Sequence, residues 1–472
     1  MKLGELIAGL ELTEIVDADE SLEISGISGD SRLVEPGYLF VALKGTHTDG
    51  HRFIPEALHR GAAAILYEKP VEIPPGVCRL RAPSTRPLYP LLAARFYGLP
   101  GEKLRLIGVT GTNGKTSTTL LVAAILRAMN QRPAVVGTLG FGMPPSDMQS
   151  EYQFAERGLT TPDSVKLQSL LAQALAAGAT HAVMEVSSHA LVQSRVDYIH
   201  FRGRVFTNLS PEHLDYHRTM EEYAAAKRSF FSRPQLGSIE YAVVNGEDKL
   251  GKEIAEQLAC PTLTFGSELT SALTGTIQHA SLEGATYQLE YRAAKVHHRS
   301  PLVPADDLLL TVSSPLIGQH NLANMLASVG CGLMEGADAA ALKSGLESVR
   351  NIPGRLERVA NPRGLHIFVD YAHTPDALRQ TLSTLRALAG TKRIITADDI
   401  LKGIRTARPV RNPKYIVELN RRRAIALAIS EADAGDSVLI AGKGHEDYQI
   451  FHDRKVPFND ASVAAELASS RA

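Results

Sequence analysis

Short apolar runs alternate along this chain with longer stretches in which apolar residues recur at helical spacing. In the first part, 38–43 reads as a strand, 53–61 as a helix and 97–101 as a linker. The middle part carries strand-like runs at 104–107, 134–136, 181–184, 204–206 and 242–244. Helix-like segments at 118–129, 165–177 and 220–231 lie between them. Residues 273–310 are β-rich and read as an added hairpin layer. Pro353 and Gly354 break the helix expected over 339–349 and mark a boundary. Beyond it, 366–370, 393–396 and 436–441 read as strands and 375–388 as a helix. Strands that alternate with helices imply an α/β fold with a mostly parallel sheet, whose ligands bind at the carboxyl ends of the strands. The punctuation predicts three domains, 1–99, 100–352 and 353–472.

One turn in this pattern carries chemistry of its own. Gly108-Val109-Thr110-Gly111-Thr112-Asn113-Gly114-Lys115-Thr116-Ser117 joins the strand at 104–107 to the helix at 118–129. Strand, glycine-rich turn with Gly-Lys-Thr, then helix is the layout of a nucleotide phosphate loop. Glycines let backbone N–H groups approach phosphate oxygens, and the helix N-terminus favours negative charge. Lys115 is expected on the terminal phosphates and the Thr116 hydroxyl on Mg²⁺. The register departs from the common loop, because five residues before Gly114 stands Val109. That points to a subfamily.

Composition narrows the class. The chain has 472 residues, enough for about two to four domains. With 50 Lys+Arg against 51 Asp+Glu, nothing draws it to nucleic acid or to a membrane surface. Cys78, Cys260 and Cys331 are far apart and form no metal-binding pair, which fits a reducing cytoplasm. No signal peptide or spanning segment is expected.

Four further polar motifs follow expected strands: Glu185-Val186-Ser187-Ser188-His189, Asn208 to His217, Asp370-Tyr371-Ala372-His373 and Lys443-Gly444-His445-Glu446. Strand ends face the ligand crevice in this architecture. Glu185 suits Mg²⁺, since hard cations take carboxylate oxygen; a solvated strand end fits it equally well. His213 suits a metal or a structural hydrogen bond. Glu185-x-x-x-His189 is not a zinc motif, because the first position is not His and a strand-to-turn is expected there.

Taken in order, Gly111 to Thr116, Glu185 to His189, His213 to His217 and Asp370 to Pro375 resemble the Mur ligase family of peptidoglycan synthesis over essentially the whole chain. The strand-end set resembles the member that adds the third amino acid to UDP-N-acetylmuramoyl-L-alanyl-D-glutamate. The resemblance implies a UDP-sugar-binding first domain, a central P-loop ATPase-like domain with a parallel sheet, and a Rossmann-like third domain for the amino acid. It implies that Gly111, Thr112, Asn113, Gly114, Lys115, Thr116 and Ser117 cradle ATP. Asn321, Asn324, Arg355, Asp370 and His373 would make the other nucleotide contacts. Two Mg²⁺ ions would be held by Thr116, Glu185, His213 and Lys227. Lys227 matches the family's carbamylated lysine; from its local sequence alone it is a solvated helix lysine. For Asn321 and Asn324 the plain alternative is helix capping. The sugar-nucleotide positions are Gly29, Ser31, Thr46, His47, Thr48, Thr160, Thr161, Ser187, Gln193 and Arg195. Arg195 suits a carboxylate or phosphate because its fork bonds two oxygens. The first-domain positions also fit ordinary turn chemistry. The implied partners are ATP, the UDP-muramoyl dipeptide and an amino acid, acting on a cytoplasmic monomer. The implied reaction runs through an acyl phosphate and a tetrahedral intermediate, with Lys115, Lys227 and His213 central.

The chain departs from the family after Thr396. A glycine-rich loop with Asp-Arg-Asp, a Lys-Arg-Pro segment, a helix, a strand and an Asp-Asn-Pro-Arg-like motif are all missing there. Residues 397–402 instead read as a later helix. A strand–helix–strand step takes roughly 30 residues or more. Either the protein carries residues absent from this sequence, the reading we favour, or its third-domain sheet has lost a strand. The missing block bears the side chains that choose the amino acid. Only Gly442 and Glu446 remain as matching contacts, so meso-diaminopimelate, favoured on family frequency, and L-lysine both stay open. The other readings are a folylpolyglutamate-type ligase, against which His213 to His217 and Gln193 to Arg195 speak, a nucleotide-dependent switch protein, and a non-catalytic ligase-like protein.

Overall fold

The computed structural model describes residues 1–45, 48–145, 152–298, 301, 303–397, 416–452 and 454–469. Thr46, His47 and most of the helix expected at 397–402 lie outside the described residues. Contacts divide the chain into two compact units.

The first unit comprises Met1–Thr119, Asn130–Val244 and Asp248–Thr262. It holds a five-stranded sheet ordered Glu14–Val16, Cys78–Arg81, Ala64–Tyr67, Tyr38–Val41, Gly26–Ser28, parallel except for the first pair. Apolar residues of alternating strand positions fill both faces, Leu39 and Val41 on one and Phe40 and Ile65 on the other. The expected linker differs: the helix Leu88–Phe96 ends, Leu99 takes a left-handed φ of 55°, and Pro100–Lys103 turns helical. Proline at the first helical position is pre-set for such a turn.

The same unit contains parallel strands ordered Tyr241–Asn245, Phe201–Phe206, Arg105–Thr110, His181–Glu185 and Pro133–Gly137. Gly140–Gly142 and Phe154–Ala155 add antiparallel edge strands. Both faces are covered, so His181–Glu185 is buried at every position. The chain leaves Arg105–Thr110 for one side of the sheet and later crosses to the other. Its carboxyl end is thus the topological switch point where such sheets bind ligands.

The second unit comprises Leu120–Met129, Asn245–Glu247 and Leu263–Ala472. The β-rich stretch is realised as antiparallel strands Leu273–Ser281, Gly284–Tyr291 and Leu308–Ser314. Helices Gln319–Met334 and Ala339–Ser348 follow. A four-stranded sheet is ordered Glu357–Val359, His366–Asp370, Ser437–Ala441, Ile394–Ala397. Ala397 closes that last strand and does not open a helix. It is buried beside Ile440, and that pairing overrides its helical propensity. Helices Pro375–Ala389, Arg421–Ser430 and Asp460–Ser469 complete the unit, with Val369, Ile440, Ile425 and Ala464 in one core.

Candidate active site

Strand Arg105–Thr110 delivers the loop 111–114 to the switch point, and helix Lys115–Ala128 begins at once after it. Gly111 has φ 147°, and a Cβ there would lie 1.9 Å from Thr207 Oγ1, so only glycine fits. The loop is held from the neighbouring strand end. Asn208 Oδ1 accepts from Asn113 N (2.9 Å), Thr207 Oγ1 donates to Asn113 O (2.6 Å), and Thr112 N donates to Asn208 O (2.8 Å). Lys115 Nζ donates back to Gly111 O (2.9 Å) and Thr112 O (2.7 Å).

Lys227 is not the solvated lysine its local sequence predicts. It lies on helix Met220–Ser229 with 1% of its surface exposed, and its Nζ donates to Gly111 O at 2.7 Å. Two lysines therefore share one loop carbonyl. Burial above all, then the nearby Lys115 charge, pushes the Lys227 amine well below the usual lysine range, with Glu212 opposing. Four residues earlier on the same helix face, Tyr223 lies with its ring centroid 4.5 Å from Lys227 Nζ and its hydroxyl 3.2 Å from Thr112 Oγ1.

Glu185 is 1% exposed at the end of its strand. Its Oε1 accepts from Thr138 N (2.8 Å) and its Oε2 from Thr138 Oγ1 (2.9 Å). Gly137 allows that approach, since a Cβ there would stand 2.3 Å from Oε1. Among the described residues no cation pairs with this carboxylate. A buried carboxylate so placed, with open lone pairs, suits a hard divalent cation. Among the described residues no group of three or more His, Cys, Asp or Glu forms a preformed metal cluster. A Mg²⁺ ion held by one or two protein groups and nucleotide phosphates needs none.

After Glu185 comes not a turn but a five-residue helix, Ser188–Val192, capped by the Ser187 side chain on Ala190 N. His189 packs 4.8 Å from the His213 ring and 4.2 Å from Tyr216, and burial first, then the neighbouring histidines, lowers its pKa to about 4. His213 stands at the rim in a left-handed conformation with a pKa lowered by partial burial. Thr161 Oγ1 donates to Glu185 O (2.8 Å) and accepts from Ser187 N (3.0 Å). Thr160 Oγ1 sits 3.2 Å from Thr138 Oγ1. Arg195 donates to Thr161 O (2.9 Å) and through Nε and Nη2 to Gln193 Oε1, and Gln193 donates to Tyr216 (3.2 Å). Among the described residues Arg195 has no carboxylate partner, and burial lowers its pKa. Of the residues named from the sequence, the structure brings Glu185, Thr160, Thr161, Ser187, Gln193 and Arg195 together and places Lys227 on the glycine-rich loop. Sequence reading missed Thr138, Thr207 and Tyr223; the spacing of four between Tyr223 and Lys227 was the available signal.

Of the remaining first-unit positions, Gly29 N donates to Tyr89 (3.1 Å) and Ser31 Oγ to Glu56 (2.7 Å). Thr48 O accepts from Gly45 N (2.9 Å). In the second unit, Gly318 rather than an asparagine caps helix Gln319–Met334. Asn321 Nδ2 donates to Ile317 O and Asn324 Nδ2 to Asn321 Oδ1. Asp370 accepts from Leu356 N, Ala372 N and Thr381 Oγ1. Arg355 covers the Tyr371 ring at 4.8 Å, with His373 on the same tyrosine. Gly442 N donates to Asp370 O, and Glu446 accepts from Lys443 at 2.7 Å.

Comparison with known proteins matches this layout. Residues 23–99 match the family described as "Mur ligase family, catalytic domain", 109–332 "Mur ligase middle domain" and 354–398 "Mur ligase, glutamate ligase domain". The chain belongs to the Mur ligase family. It is 36% identical to the UDP-N-acetylmuramoyl-L-alanyl-D-glutamate--2,6-diaminopimelate ligase of Syntrophomonas wolfei, covering 99% of both chains. Identity to the ligase of the same name from Gloeobacter violaceus is 38%, covering 100% of this chain and 99% of the other. A solved structure of a ligase with that name superposes with TM-score 0.69 at 28% identity, covering 99% and 98%. The Syntrophomonas alignment spans 506 positions against this chain of 472 residues, so at least 34 fall opposite gaps in it. The third Mur ligase match stops at residue 398. No described helix is long and apolar enough to cross a membrane.

Proposed function

We propose that this Mur ligase adds meso-diaminopimelate to UDP-N-acetylmuramoyl-L-alanyl-D-glutamate at the expense of ATP. The observation that carries the reading is a pair of neighbouring networks in the first unit. One joins the phosphate loop to Lys227 and Tyr223, the other runs from Glu185 through Thr161 to Arg195, and His217 lies between them, packed on Tyr223 and hydrogen-bonded to Ser188. Relatives named for this reaction match the chain end to end. The boundaries 1–99, 100–352 and 353–472 are our assignment of its three domains.

The D-glutamyl side-chain carboxylate attacks the γ-phosphate, and the incoming amine then displaces phosphate from the acyl phosphate through a tetrahedral intermediate. Such chemistry needs positioning and charge stabilisation more than a protein nucleophile. Lys115 stabilises charge that builds on the transferring phosphoryl group. Arg195, poised with unspent N–H donors, binds a substrate carboxylate or phosphate. Gly29, Ser31, Thr48, Thr160, Thr161, Ser187 and Gln193 contact the sugar nucleotide. We assign Asn321, Asn324, Arg355, Asp370 and His373 to the nucleotide, and Gly442 and Glu446 to the amino acid.

Thr116, Glu185, His213 and Lys227 as its carbamate would hold two Mg²⁺ ions, which neutralise phosphate charge when bound. The low pKa of Lys227 supports carbamate formation, because the neutral amine is the nucleophile toward CO₂. The N–C bond forms, one C=O becomes C–O⁻, and the amine proton leaves to water. Calorimetric titration with UDP-N-acetylmuramoyl dipeptide and with a folate tests the substrate class. Binding of the sugar nucleotide is expected; binding of the folate alone overturns the reading.

A further inference from the structure

Tyr223 contacts the phosphate loop, Lys227 and two histidines, and the sequence did not single it out. Its side chain is buried at 1% exposure. Its hydroxyl lies 3.2 Å from Thr112 Oγ1, which itself accepts from Ser210 N (3.0 Å) and donates to Ser210 O (3.2 Å). One face of its ring stands 4.5 Å from Lys227 Nζ, while His217 packs at 5.0 Å and His213 at 6.1 Å. His217 in turn hydrogen-bonds Ser188 Oγ at 2.8 Å, in the helix that follows Glu185. One side chain therefore touches the phosphate loop, the buried lysine and the histidine rim. No other contact of Lys227 Nζ among the described residues reaches the loop except its bond to Gly111 O.

We propose that Tyr223 is a positioning residue that ties the modified state of Lys227 to the shape of the phosphate loop, its hydroxyl fixing Thr112 and its ring walling the Lys227 nitrogen from water. The inference rests on the carbamate reading above. A carbamate nitrogen keeps one N–H, so the Gly111 bond survives modification while the ring holds the carbamate to one side. The hydroxyl and the ring do separable work, and two variants divide them. Tyr223→Phe keeps the wall and loses the Thr112 bond. Tyr223→Leu loses both.

The test combines ¹³C NMR of protein equilibrated with ¹³C-bicarbonate and steady-state kinetics at varied ATP and bicarbonate. For Tyr223→Phe the carbamate signal is retained and KM for ATP rises about three- to tenfold, the fold-change of one net hydrogen bond. For Tyr223→Leu the signal is weak at ambient CO₂, and added bicarbonate restores both signal and rate. A Tyr223→Phe protein with wild-type KM for ATP overturns the proposal, and so does a Tyr223→Leu protein with wild-type signal and bicarbonate dependence. A wild-type protein whose carbamate signal is absent, or is unchanged in Lys227→Met, instead removes the carbamate reading on which the proposal rests.

Discussion

Lys227 and Arg421 are both buried cations, and the protein treats them in opposite ways. Arg421 is clamped by Asp460 through two bonds of 2.8 and 2.7 Å, and its Nη2 also donates to Ala441 O at 2.8 Å. Their side chains are 4% and 0% exposed. Lys227 is as deeply buried, yet among the described residues its amine bonds only a loop carbonyl and no carboxylate. Burying a charge unpaired is costly, so Lys227 is driven toward neutrality, while the Arg421 guanidinium is offset by the Asp460 carboxylate. One arrangement builds scaffold. The other leaves a buried amine on the glycine-rich loop with its pKa lowered, the kind of perturbed group that clusters at functional sites.

Breaking each side of that contrast has a distinct signature. The largest effects are expected at the loop: Lys115→Ala and Lys227→Ala each lower kcat by roughly a hundredfold or more, the scale of one lost charge-stabilising group. Thermal unfolding of both remains near wild type. A Lys227→Ala protein that turns over at the wild-type rate refutes the carbamate assignment. Asp460→Asn acts the other way. It leaves Arg421 buried beside a neutral amide and costs about 3–5 kcal/mol in urea unfolding. If stability is unchanged, the clamp is not structural. Arg195→Lys is expected to raise KM for the sugar nucleotide about tenfold while kcat changes little, because one ammonium replaces a planar fork. A change confined to kcat would move Arg195 from substrate binding to chemistry.

Motifs at strand ends were legible because the parallel sheet puts carboxyl termini together, which is why Glu185 and the phosphate loop lie at the ends of neighbouring strands. Burial of charged residues was not legible. Local sequence around Lys227 is that of any helix surface, and only packing against the loop reveals otherwise. Arg204 was likewise read as part of an ordinary strand. It is 1% exposed, donates to the carbonyls of Phe201, Phe230, Leu236 and Gly237, and has a pKa lowered by burial to about 10. Carbonyls that accept from it belong to three separate segments, a long-range closure that no periodicity encodes. The helix expected at 397–402 failed at its first residue because sheet pairing with Ser437–Ala441 extends through Ala397. Intact mass separates the two accounts of the residues missing after Thr396 relative to the family. A value near 50.9 kDa means a true deletion, and several kDa more means residues absent from this sequence.

Turnover is the most direct test of the central claim. Purified protein is supplied with ATP, Mg²⁺, UDP-N-acetylmuramoyl-L-alanyl-D-glutamate and either meso-diaminopimelate or L-lysine, and products are read by mass spectrometry with phosphate release. The expected result is a UDP-muramoyl tripeptide carrying diaminopimelate, with one phosphate released per product. ATP hydrolysis without tripeptide, or no reaction with either amino acid from a protein that binds the sugar nucleotide, contradicts it.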